Sequence, residues 1–153
     1  MRNAVLCCIL FWAALIAGCA AMTGEDKALA GQGADISATA VGLAMGAAEA
    51  NPLGIGLLGV KYVAYQHIKA APAIEQPGLW SAYGALGWGA AANNVCVIAV
   101  IVSGGTAIGL CPALGLFAGL GMYSQDGPTR HRATFDAICD AARVDRPGLV
   151  CVY

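Results

Sequence analysis

Apolar residues run along this chain in long blocks, with no strict alternation, and the blocks have helical length. Residues 4–16 form a first apolar run behind Arg2, and residues 20–34 are more polar, with Glu25, Asp26 and Lys27. No charge falls between Asp35 and Glu49, which predicts a helix over 35–50. Asn51-Pro52 then supplies an N-cap and a first-turn proline for a second helix over 52–71. Proline and glycine punctuate residues 71–78, predicting a loop. A third apolar segment, 79–102, contains the very hydrophobic stretch 95–102; with its flanks it exceeds usual strand length and reads as helix. Ser103-Gly104-Gly105 predicts a turn, and 106–123 a fourth apolar segment interrupted by Pro112. Charges return between Asp126 and Arg146, so 124–153 reads as a polar tail. Within it, 134–144 is expected to form a short amphipathic helix with Phe135, Ile138, Cys139 and Ala142 on one side. The expected fold is all-α: a small Gly/Ala-rich helical hairpin bundle over 35–123 with a short polar C-terminal tail.

Composition moves this picture toward a membrane. The chain has 153 residues, 59% hydrophobic and only 11% charged, where an ordinary soluble domain carries about 25% charged residues. Its 21 glycines follow no collagen-like period and lie among alanines and leucines, as helix-packing glycines do. Eight basic against nine acidic residues give a net charge of −1, which supplies no basic footprint and excludes nucleic acid as a partner. The third segment is long enough to cross a bilayer. The second carries Lys61 near its middle, and a charge at the bilayer centre costs about 2.5–3.5 kcal/mol. The third and fourth segments are therefore expected as a membrane-embedded or membrane-apposed hairpin, with the first two as a less hydrophobic hairpin beside it.

The N-terminal run has signal-peptide length and ends in Leu15-Ile16-Ala17-Gly18-Cys19. This sequence resembles the lipobox of bacterial lipoproteins, in which an aliphatic residue and two small residues precede a cysteine. The resemblance implies a signal peptide over 1–18, a covalent lipid on Cys19 and a lipidated tether over 19–34; the competing reading is an uncleaved signal anchor over 4–22. Several acyl chains anchor far more firmly than one, at about 0.8 kcal/mol per buried CH₂. Ala20, in place of Asp after the lipidated cysteine, argues against inner-membrane retention by the same resemblance, whereas the apolar helices argue for it. A second resemblance covers 35–53, with Asp35, Thr39, Gly46 and Glu49-Ala50-Asn51-Pro52-Leu53. It is similar to a pattern in uncharacterised helical membrane proteins and small lipoproteins of bacteria, and implies a helix-turn-helix with no catalytic residue.

Small residues recur four apart in the fourth segment, as Ala107, Cys111, Gly115, Gly119 and as Gly105, Gly109, Ala113. Such faces let helix backbones approach, and Gly105, Gly109, Gly115 and Gly119 are the expected packing positions. Asp35, Thr39, Gly42, Gly46 and Glu49 share one face of the first helix. A tight turn at Asn51-Pro52 would bring Gly42 near Lys61 and Asp35 near 67–69, as an ion-paired hairpin; a metal or proton-relay set of Asp35, Glu49 and His67 is the competing reading, and compact ligand spacing is missing. Gly54-Ile55-Gly56-Leu57-Leu58-Gly59 matches G-x-G-x-x-G but follows a helix start, not a strand, so its glycines are assigned to packing. With the signal removed and Cys19 lipidated, Cys96, Cys111, Cys139 and Cys151 remain. Cys139 and Cys151 flank Pro147-Gly148 and are expected to pair, closing a loop worth about 3 kcal/mol in the chain-entropy model. Cys96 and Cys111 are expected to be close, and to pack rather than bond. Asn93-Asn94 requires partners beside so apolar a run. Trp80, Tyr83 and Trp88 fit either an interfacial belt or a core.

An even number of spanning helices, or none, puts the tail outside, where its disulfide forms; three spans put Lys69, Arg130 and Arg132 inside with reduced thiols. Lys61 favours the first. The expected function is a lipid-anchored protein of the cell envelope membrane with a structural or interaction role. No catalytic site, metal or cofactor other than the lipid on Cys19 is expected, and the expected partners are membrane lipid and a second copy or another envelope protein. The competing class is a small integral membrane protein that oligomerises through its glycine faces, as a pore or accessory subunit.

Overall fold

In the computed structural model of the chain, residues 22, 24–45 and 54–151 are described. The expected signal peptide, Cys19, Gly46, Glu49 and the Asn51-Pro52 turn lie outside the described residues. Every regular element among those described is helical: α1 Gly24–Ala44, α2 Gly54–Ala70, α3 Gln76–Ser103, a 3₁₀ turn Ala107–Leu110, and α4 Cys111–Asp145. The protein is an all-α bundle.

Local signals account for the helix ends. Pro77 occupies the first turn of α3, where its missing N–H leaves no bond unmade. Gly104 ends α3 at φ 64°, and the Gly104 and Gly105 N–H groups bond back to the carbonyls of Ile101 and Val100 at 3.1 and 3.0 Å. This is a Schellman closure, which needs a left-handed residue after the last helical turn. Pro112, expected to interrupt the fourth segment, instead lies in the first turn of α4, and the 3₁₀ turn leads into it.

Two expected boundaries are corrected. Residues 24–34 are helix, not tether, because Ala28, Gly31 and Gln32 are buried against α3. At the other end, α4 continues through Ser124 to Asp145, where a polar tail with a short helix over 134–144 was expected. Helix hydrogen bonds are internal to the segment, so the backbone continues through the return of charge; α4 stays beside the start of α3 as far as His131, near Gly78, before it extends into solvent. Exposed pairs such as Arg132–Asp136 (3.5 Å) and Asp140–Arg143 (3.1 Å) line that extension.

Helix α3 is the centre of the bundle. Its Gly84 and Gly87 meet α1 at Ala28 and Gly31, so α1 and α3 run parallel. Its Ala85, Gly89 and Asn93 meet Gly119 and Gly115, so α3 and α4 run antiparallel. Helix α2, antiparallel to α1, touches α3 through Ile68, which packs with Ala28, Trp80 and Tyr83. Trp80, Tyr83 and Trp88 are all buried; the choice between belt and core is decided for the core.

Side chains are sorted by size in the reverse of a water-soluble sense. Helix contacts are made mainly by Gly, Ala and Cys together with three large aromatic residues and Ile68. Leu86, Leu114, Leu116, Phe117 and Leu120 on α3 and α4, and Leu29, Ile36, Leu43, Val60 and Val63 on α1 and α2, point outward. Phe117 is 73% exposed and Leu86 72%.

Candidate functional site

Three helices each bring polar side chains to one interior point. Asp35 on α1 forms an ion pair with Lys61 on α2. Asn94 on α3 donates one amide hydrogen to the other Asp35 carboxylate oxygen at 2.8 Å and its second to Thr39 Oγ1 at 3.0 Å. Asn93 Nδ2 donates to Asn94 Oδ1 at 3.2 Å, which completes the amide pair. One turn away, Gln32 Nε2 donates to the Tyr83 carbonyl at 2.6 Å, and the Tyr83 hydroxyl donates to the Lys61 carbonyl at 3.0 Å. Gln32 is buried, and its Oε1 has no hydrogen-bond partner.

These residues fall at i, i+3 and i+7 on α1, so the polar stripe expected from Asp35, Thr39 and Gly42 does face another helix. The partners differ from the expected ones. Lys61 meets Asp35 rather than Gly42, and Lys69 meets Glu25 rather than Asp35. That displacement is about two helical turns along α1, because α1 ends at Ala44 and α2 begins at Gly54, whereas the expected hairpin turned at Asn51-Pro52.

Chemically the cluster is closed. The Asp35 side chain is 10% exposed and that of Lys61 21%, and both carboxylate oxygens have donors. His67 is exposed on α2. Among the described residues no three His, Cys, Asp or Glu side chains converge as metal ligands, and Glu49 of the competing set lies outside them.

A second polar contact sits at the end where α1 starts and α2 stops. Glu25 accepts from Lys69 Nζ at 3.1 and 3.3 Å and from the Tyr65 hydroxyl at 3.0 Å. The Lys69 hydrogen bond, then that of Tyr65, holds the Glu25 carboxyl below the usual glutamate range. The same contact raises Lys69 above the usual lysine range.

Both cysteine pairs are bonded. Cys139–Cys151, with Cα atoms 6.1 Å apart, ties the last described residue to α4, and Arg143 Nε donates to the Leu149 carbonyl at 3.2 Å beside it. Cys96–Cys111 is also a disulfide, with Cα atoms 5.4 Å apart, where packing thiols were expected. The Gly104 closure and the 3₁₀ turn return the chain so that the two residues face each other across α3 and α4.

The expected packing glycines divide. Gly115 and Gly119 lie against α3: a Cβ on Gly115 would fall 2.7 Å from the Gly89 carbonyl oxygen, and one on Gly119 would fall 2.8 Å from that of Ala85. Gly109 meets nothing within 4 Å and Gly105 belongs to the turn, so neither packs helix on helix; both precede the first turn of α4. Gly59, from the G-x-G-x-x-G match, also faces open space. Sequence reasoning missed Gly31, Gly84, Gly87 and Gly89. For Gly84, Gly87 and Gly89 the signal was present as small residues three and four apart on two sides of the third segment, masked there by the intervening aromatic residues; Gly31 falls in the stretch expected as tether.

Helix α3 is long and apolar enough to cross a membrane, with a mean hydropathy of 1.8. The chain matches no protein-family model, no curated protein and no solved structure.

Proposed function

We propose that this chain is a lipid-anchored protein of the bacterial cell envelope with a structural or interaction role, held by a lipid on Cys19 and by the apolar flanks of its helices. The observation that carries the reading is the inverted sorting of side chains. In water, Leu, Ile and Phe go inside; in lipid, helices associate through small residues and leave large apolar side chains outward. Gly31, Gly84, Gly87, Gly89 and Gly115 against an outward Leu86, Leu116 and Phe117 follow the second rule. Two disulfides support an exported location, since such bonds persist in oxidising compartments. The glycine faces an oligomer would require, around Gly115 and Gly119, are filled by this chain's own α3, which favours the anchored protein over the oligomeric pore.

Metabolic labelling with a palmitate analogue tests the anchor. Wild-type protein is expected to incorporate label and Cys19→Ala to lose it; equal labelling of the two would overturn the assignment.

A further inference from the structure

The described charges are divided unequally along the bundle axis. Glu25, Asp26 and Lys27 at the start of α1, Lys69 at the end of α2 and Glu75 before α3 lie at one end. Helix α4 passes the same end, where His131 lies 3.9 Å from a Cβ built on Gly78, and carries its charged extension away from the bundle. Toward the opposite end, the cluster of Asp35 with Lys61 contains the last charges among the described residues; Glu49, between α1 and α2 in the sequence, lies outside them. Beyond that cluster are Leu57, Leu58, Ile101, Val102, Leu110 and Leu114, all exposed.

We propose that the bundle enters the bilayer tip-first through the turn at 103–106, as two helical hairpins that cross the hydrocarbon and return, so that the charged end, the α4 extension and the Cys139–Cys151 disulfide all stay on the exported side. The occupant of the apolar surface is lipid hydrocarbon. Its thickness is about 30 Å, and residues 82–102 of α3 rise about 31 Å at 1.5 Å each. Apolar side chains are exposed on all four helices over that length, as a lipid-facing bundle requires and a single docking groove does not. Among the described residues, the Asp35–Lys61 pair at this depth faces the interior and both carboxylate oxygens have donors, the arrangement that ionisable residues adopt at membrane depth. Sidedness rests on the lipid-anchored reading: Cys19 lies a few residues before Gly24, and Gly24 is at the charged end.

Introduced thiols read the topology in the full chain, because the other mature cysteines are oxidised or lipidated. Ser103→Cys marks the tip, Leu116→Cys the middle of the slab and Ser124→Cys the charged end, all at exposed positions. In intact cells a membrane-impermeant maleimide is expected to modify Ser124→Cys and to miss Leu116→Cys and Ser103→Cys until detergent dissolves the membrane. Modification of all three before detergent overturns insertion. Modification of Ser103→Cys without Ser124→Cys overturns the orientation. The same labelling in the Cys19→Ala background separates the two proposals: protection retained without the lipid leaves insertion standing when the anchor fails, and protection lost with an intact lipid does the opposite.

Discussion

One substitution, Gly→Ala, is expected to change stability in opposite directions at different positions of this bundle. At Gly87 an added Cβ would fall 2.6 Å from the Gly31 carbonyl carbon and 2.7 Å from the Gln32 nitrogen. At Gly89 it would fall 2.8 Å from the Gly115 carbonyl oxygen. These neighbours are backbone and no rotamer change relieves them, so α1 and α3, or α3 and α4, must separate by roughly 0.7 Å to reach ordinary contact. A gap of that size forfeits about a quarter to a half of each neighbouring dispersion contact, and overpacking of this kind costs about 1–3 kcal/mol. Ala recovers about 0.8–1.0 kcal/mol of helix propensity over Gly, leaving a net loss of about 1 kcal/mol. At Gly33 and Gly59 nothing lies within 4 Å, so propensity acts alone and stability rises by about 0.5–1 kcal/mol. The two classes should therefore differ by about 2 kcal/mol. Denaturant titration in detergent, followed by far-UV circular dichroism and by the near-UV signal of the buried Trp88, measures it. If Gly87→Ala and Gly33→Ala shift the midpoint in the same direction, the close helix contact inferred at Gly87 is wrong.

Cys139→Ser or Cys151→Ser should release residues 147–151 from α4 without loosening the bundle, since that disulfide closes a loop on the extension; a new tryptic cut after Arg143, whose contact with the Leu149 carbonyl is lost, with unchanged near-UV dichroism, is the expected pair of results. The contact of Glu25 with Lys69 should stabilise the fold only within a pH window. Because the folded Glu25 carboxyl is lowered, its contribution is complete above the unfolded glutamate range and is lost as pH falls through the lower folded value. Because Lys69 is raised, its contribution is complete below the unfolded lysine range and is lost as pH climbs through the higher folded value. Glu25→Gln should flatten both limbs of the stability–pH curve, and an unchanged curve would show that the exposed pair contributes nothing.

What could be read from the sequence followed how local each cause was. The all-α architecture was legible because the apolar blocks have helical length and their breaks carry Pro and Gly. So was the polar stripe on α1, which needs only the helical period through Asp35, Thr39 and Gly42. The partner of Asp35 was not legible, because a hairpin register depends on where two helices stop, and a good N-cap at Asn51-Pro52 does not fix where the preceding helix ends. The length of α4 was misjudged for a related reason: polarity reports which solvent surrounds a helix, not whether its backbone continues. The Cys96–Cys111 bond depended on a turn geometry that the dipeptide Gly104-Gly105 permits but does not by itself specify.

Register also explains why a chain so poor in charge keeps Asp35, Lys61 and Asn94 inside. Faces built from Gly and Ala have shallow ridges, so apart from Trp88 over Gly31 packing distinguishes neighbouring helix registers less sharply than a core of large side chains does. Polar partners differ sharply, because Asp35 meets both Lys61 and Asn94 in one register only. Breaking a buried pair from one side costs about 3–5 kcal/mol, whereas replacing both partners with apolar residues is often neutral. Lys61→Met should be the more damaging single change, since it leaves a carboxylate with 10% exposure, while Asp35→Leu leaves a lysine with 21% exposure whose long stem can carry the ammonium toward polar surroundings. The double variant Asp35→Leu/Lys61→Met should recover most of the stability and lose the unique register. Nitroxides at the exposed Ile36 and Leu86 read this as a spin–spin distance distribution, narrow in the parent and broad or split in the double variant. A narrow distribution there would mean that glycine contacts alone align α1 with α3, and equal stability of the single and double variants would mean that the buried charges carry no desolvation penalty.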